Sequence, residues 1–121
     1  MGKKTEIIGK AEQVRALIDG TLFEVLRSRV ADFDASDYRD FLTFTRRDLI
    51  NYLSENPELV MRYFKEHEGI RSTHDVPTMT QVSSEAYKVG WMDRGVLRHE
   101  KTFVSLPEAV TEFLFLSLGM Y

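Results

Sequence analysis

Tyr87-Lys88-Val89-Gly90-Trp91-Met92-Asp93-Arg94-Gly95 leads into a second extended stretch, Leu97 to Val104, and then into Ser105-Leu106-Pro107-Glu108-Ala109-Val110-Thr111-Glu112-Phe113-Leu114. Tyr87, Val89 and Trp91 alternate with Lys88 and Gly90, the period of a half-buried strand. Asp93-Arg94-Gly95 supplies a reversal, because glycine takes the positive φ that a tight turn needs. The return strand is expected over 97–104, with Leu97 and Phe103 on one face. Ser105 to Glu108 reads as a capping box, with Pro107 near the helix start. Leu106, Ala109, Val110, Phe113 and Leu114 follow at helical spacing, Phe115 and Leu116 widen the apolar surface almost all round, and Gly119 ends the run. A helix this apolar is either enclosed in a core or pressed against a partner.

Upstream, Thr78 to Ser83 is an uncertain first strand, since Met79 and Val82 do not share parity. The sheet is therefore a hairpin or a three-stranded meander. Residues 70–77, with Ser72, Thr73, His74, Asp75 and Pro77, read as a loop. The first half is helical. Val14, Leu17, Ile18, Leu22, Val25, Leu26, Val30 and Phe33 predict an amphipathic helix over 11–33, kinked or broken at Asp19-Gly20-Thr21. Asp34-Ala35-Ser36-Asp37 opens a short helix with Tyr38, Phe41 and Leu42 inside. Thr45-Arg46-Arg47-Asp48 starts another, with Leu49, Ile50 and Leu53 on its apolar side. Asn56-Pro57-Glu58 starts a third, which carries Val60, Met61, Tyr63 and Phe64 and stops at Gly69. These signals predict one α+β domain over 1–121. Helices over about 11–69 pack with a small antiparallel sheet, and an amphipathic C-terminal helix closes a hairpin–helix part over about 78–119.

Composition narrows the function. The chain has 121 residues, no cysteine and a net charge of −3. No cysteine excludes disulfides, thiolate metal sites and a cysteine nucleophile. Residues 1–69 hold 11 basic and 13 acidic side chains, and 70–121 hold 5 and 6, so neither half is a basic footprint for nucleic acid. Only Ile7 and Ile8 follow the basic N-terminal residues, where a secretory core needs about seven apolar residues. Glu6 stands where a myristoylation signal wants Ser or Thr. The apolar run from Phe113 to Leu116 is far short of the ~20 residues of a membrane span. A soluble cytoplasmic protein without membrane attachment is expected.

Catalytic motifs are absent: no Gly-x-Ser-x-Gly, no Ser-x-x-Lys, no glycine-rich phosphate loop. The spacing of His67 and His74, with Asp75, Glu66 and Glu68 nearby, matches no metal-ligand pattern. His67 is expected to complement a helix C-terminus, and His74 and His99 to be solvated. No catalytic residue, cofactor or metal site is predicted. Trp91, the sole Trp, with Asp93 and Arg94 at the adjacent turn, is the candidate contact surface for another protein. Asp32, Asp34, Asp37 and Asp40 are caps and solvated charge, or a face toward a cation or a basic partner. The apolar final helix also suits a homo-oligomer burying Phe113, Phe115 and Leu116. Helices followed by a hairpin bearing Arg94, Arg98 and Lys101 outline a winged-helix DNA reader, the alternative reading that the charge count weakens. A small enzyme without a recognisable motif stands third.

The segments Tyr87–Gly95 and Lys101–Leu114 together resemble the tail of small bacterial immunity proteins that neutralise polymorphic toxins. That tail has an aromatic-rich strand, an acidic-Arg-Gly turn, a strand ending in Phe, then Ser and an acidic-Ala helix. Here Met92-Asp93 stands where Glu is more usual before Arg-Gly, and the helical stretch 11–69 lies outside the likeness. The resemblance implies an intracellular inhibitor that works by binding, with neither catalysis nor cofactor. It carries no functional residue onto this chain.

Overall fold

Asp19-Gly20-Thr21 does break the first helical pattern in two. Gly20 takes φ 78°, and the N–H groups of Gly20 and Thr21 close on the carbonyls of Leu17 and Ala16. That is a Schellman end, which glycine makes accessible. It separates α1 (Lys10–Asp19) from α2 (Leu22–Arg29). The computed structural model describes residues 8–69 and 75–119. Among them the chain is α+β, with six α-helices, one short 3-10 turn and a three-stranded antiparallel sheet. They form two compact units, Met1–Leu49 and Ile50–Tyr121.

In the first unit α2 stops at Arg29, short of the expected Phe33, because Val30 is extended. Phe33 is buried all the same and gathers Phe23, Tyr38 and Phe41 at ring-centroid distances of 5.7, 5.4 and 5.8 Å. Edge-to-face contacts of this kind add to the apolar burial. The 3-10 turn Ala35–Asp37 leads into α3 (Tyr38–Phe41), too short to bury a residue of its own. Tyr38 and Phe41 are therefore half-buried, while Leu42 beyond them is fully buried. Gln13 of α1 is a fully buried polar side chain with its bonds made. Its Nε2 donates to the Ile8 carbonyl at 2.8 Å and to Thr43 Oγ1 at 3.0 Å, and its Oε1 accepts from the Thr43 N–H at 2.9 Å. A buried amide so satisfied ties α1 to the segment after α3.

α4 (Arg46–Ser54) begins with the expected box: the Thr45 N–H donates to Asp48 Oδ2 at 2.8 Å and the Asp48 N–H to Thr45 Oγ1 at 3.1 Å. Leu49 and Leu53 are fully buried, and Ile50 is half-buried. α5 (Pro57–His67) starts at its proline, but Asn56 does not cap it. The Asn56 Nδ2 donates backward to the Tyr52 carbonyl at 2.7 Å, so the side chain serves the end of α4 instead. Met61, expected inside with Val60, Tyr63 and Phe64, is exposed.

The meander form of the sheet is the one present: β1 (Val76–Ser83), β2 (Ala86–Asp93) and β3 (Val96–Phe103), in that spatial order. Val76 and Pro77, expected in the loop over 70–77, already pair with Met92 and Trp91, and residues 70–74 of that stretch lie outside the described residues. An edge strand tolerates proline, which has no N–H to give to a ladder. Val82 is an extra residue in β1, between the pairs Gln81–Tyr87 and Ser83–Ala86, which explains its broken parity and its exposure. A second irregularity lies in β3. Val89 pairs with Lys101 and Trp91 with Arg98, so His99 and Glu100 together oppose Gly90. Leu97 therefore stands opposite Met92 and Phe103 opposite Tyr87. Met92 and Tyr87 lie on opposite faces of β2, so Leu97 and Phe103 do not share a face as alternation predicted. Gly90 leaves room for β3 here: a Cβ there would meet Leu97 Cδ1 at 2.9 Å and the Arg98 carbonyl oxygen at 3.1 Å, so the Leu97 side chain would have to shift.

α6 (Leu106–Ser117) opens with Ser105 Oγ accepting from the Glu108 N–H, and lies across β1 and β2 with lesser contact to α5 and β3. Its enclosure is complete: Phe113, Phe115 and Leu116 are only 7%, 6% and 5% exposed. Tyr63 and Phe113 meet edge to face at 6.3 Å, and Phe64 and Tyr87 at 5.4 Å, which fastens α5 to α6 and to the sheet. Among the described residues no helix is long and apolar enough to cross a membrane.

Candidate functional site

The turn between β2 and β3 has two residues, Arg94 at φ 54° and Gly95 at φ 82°. Positive φ at both centres is the type I′ geometry that matches strand twist. Arg94 is fully displayed at its tip. Two residues further along β3, Arg98 Nε donates to Asp93 Oδ2 at 3.0 Å, bracing the turn. His99 then takes φ 55°, an unusual conformation for a side-chain-bearing residue, as the first residue of the β3 bulge.

Beside this bulge lies a concavity of about 370 Å³. Trp91 and Asp93 of β2, Arg98, His99 and Lys101 of β3, and Glu112 and Leu116 of α6 line it. Trp91 is half-buried there, so an indole face remains available. The charges are layered. Asp93 and Glu112 are recessed, with side chains 32% and 8% exposed, whereas Arg98 and Lys101 are 56% and 62% exposed. Lys101 Nζ stands 3.6 Å from Glu112 Oε2, an ion pair beyond hydrogen-bond length. The carboxylates hold the cations in place from behind, and the cations form the rim.

Of the residues expected at a contact surface, Trp91 and Asp93 thus lie in one concavity, with Arg94 at the adjoining turn. Arg98 and Lys101, read from the sequence only as hairpin cations, and His99, read as solvated, join them. Glu112 was missed altogether. Its signal is the one charged residue in the stretch from Val110 to Leu116.

The aspartates singled out in the sequence, Asp32, Asp34, Asp37 and Asp40, divide by role. Asp34 Oδ2 accepts from the Ser36 N–H at 3.1 Å and the Ser36 hydroxyl at 2.6 Å, and Asp37 Oδ2 accepts from the Asp34 N–H at 3.0 Å. These two shape the 3-10 turn. Asp32, at φ 57°, and Asp40 are exposed. His67 stacks on Tyr63 at 3.9 Å, and its Nδ1–H donates to the Tyr63 carbonyl at 2.9 Å, the helix-end role expected of it. His74 lies outside the described residues. Among the described residues no group of three His, Asp or Glu side chains is placed to hold a metal ion.

No protein-family model matches this chain, and no curated protein and no solved structure matches it either.

Proposed function

We propose that this protein is a small non-catalytic binding module, an immunity-type inhibitor of another protein, that contacts its partner through the β2–β3 turn and the adjoining concavity. The observation that carries this reading is Trp91. It is the sole Trp, half-buried in β2, and it lines a concavity whose exposed cations Arg98 and Lys101 are paired with carboxylates. Binding energy concentrates on such aromatic anchors with Arg neighbours. Two strained non-glycine residues, Arg94 and His99, flank it, and strain of that kind gathers at binding sites. The resemblance of Tyr87–Gly95 and Lys101–Leu114 to the tail of immunity proteins points the same way.

Affinity capture from a native lysate tests it, with wild type run beside Trp91→Ala. The expected result is one stoichiometric partner whose activity falls when bound, and about tenfold or greater loss of capture by the variant. Undiminished capture by Trp91→Ala removes the concavity from the interface. Salt-dependent retention on DNA in place of a protein partner overturns the reading in favour of a nucleic-acid regulator.

A further inference from the structure

We infer that the concavity takes an acidic side chain of the partner together with an apolar neighbour, the carboxylate seated on Arg98 and Lys101 and the apolar group on Trp91. The inference rests on the protein-binding reading and adds the chemistry of the occupant. Its basis is the layering of charge. Five ionisable side chains line the concavity, and the recessed ones, Asp93 and Glu112, are acids. The exposed ones, Arg98, His99 and Lys101, are cationic or can donate from an imidazole N–H. An incoming group meets donors before it meets acids.

The geometry of the ion pairs favours an anion further. Asp93 engages Arg98 through Nε, so the guanidinium keeps its terminal N–H donors, the pair that grips a carboxylate side by side. Lys101 is held near Glu112 without a hydrogen bond and keeps its ammonium donors for another acceptor. Both cations are positioned before binding, which lowers the ordering entropy lost on association. Trp91, on the same lining, provides an apolar contact within reach of the rim. A bare anion would leave that contact unused, and a purely apolar side chain would leave the donors unmatched. An acidic residue next to an apolar one uses both.

Because Trp91 is the sole Trp, its emission reports on this site alone. The full-length protein is titrated with two short blocked peptides, one with Phe-Glu at its centre and one with Phe-Gln. The expected result is a saturable change of Trp91 emission by Phe-Glu in the millimolar range or below. Phe-Gln should bind roughly tenfold more weakly, the usual value of a hydrogen bond to a charged group. Arg98→Gln and Lys101→Gln should each reduce the preference for Glu over Gln while leaving the melting temperature near that of wild type. Equal response to the two peptides, no response to either, or a preference that survives both substitutions overturns the inference. The parent reading fails separately. A captured partner lost by Trp91→Ala but kept by Arg98→Gln and Lys101→Gln leaves protein binding in place and removes the acidic occupant. A Glu preference without any protein partner does the reverse.

Discussion

Arg94 occupies the first centre of a type I′ turn at φ 54°, where asparagine fits better than a long side chain. Arg94→Asn is expected to raise the unfolding free energy by roughly 0.5–1 kcal/mol, read as a shift of the urea midpoint. A fall instead of a rise would mean that the arginine makes stabilising contacts beyond the turn. If the variant is more stable and binds its partner less well, the arginine is kept for contact at the expense of stability. The turn itself was legible, because Gly95 announces positive φ wherever it stands between two strand patterns. The bulge at His99 was not. Histidine carries no turn signal, and the extra residue is defined only by which partners Val89 and Trp91 find across the strand gap. That single insertion moved Leu97 to the face opposite Phe103.

Among the elements, local capping bonds set the starts of α4 and α6. The backbone N–H of Thr45 and its hydroxyl, then Lys10 at 3.7 Å, hold the Asp48 carboxyl below the ordinary aspartate range. A lowered folded-state pKa means a contribution present above the unfolded value near pH 4. It is lost as pH falls through the folded value. Asp48→Asn is expected to be less stable than wild type at pH 7 by about 1 kcal/mol or less, as for other cap losses. The gap should close below about pH 4, as wild type loses its own carboxylate. Urea midpoints at pH 7 and in the acid range check this, and a gap independent of pH would discount the charge. Both boxes, Thr45–Asp48 and Ser105–Glu108, were readable because donor and acceptor are three residues apart. Asn56, of a residue type that caps helices, does not cap α5, because two helix ends meet there and its amide serves the earlier one.

For the whole molecule, the −3 charge is spread over both halves, and the exposed hairpin cations Arg98 and Lys101 stand beside carboxylates. No concentrated basic face results from them. α6 has its apolar side chains covered within the chain, so a dimer built on Phe113, Phe115 and Leu116 would have to unpack them first. Sedimentation velocity at micromolar concentration is expected to give the mass of one chain. A dimer dispersed by Phe115→Ala, with the fold retained, would return α6 to the role of an interface.

The α+β class, the starts of α4 and α6, the hairpin turn and the apolar final helix are legible along the chain, because each rests on contacts within a few residues or on simple periodicity. Trp91 stands out by rarity. The burial of α6, the bulge in β3 and the gathering of Arg98, His99, Lys101 and Glu112 with Trp91 emerge only in the folded chain. Those facts depend on register between strands and on the placement of a helix across them. Register is chosen by packing on both faces of the sheet at once, which no local pattern along one strand contains.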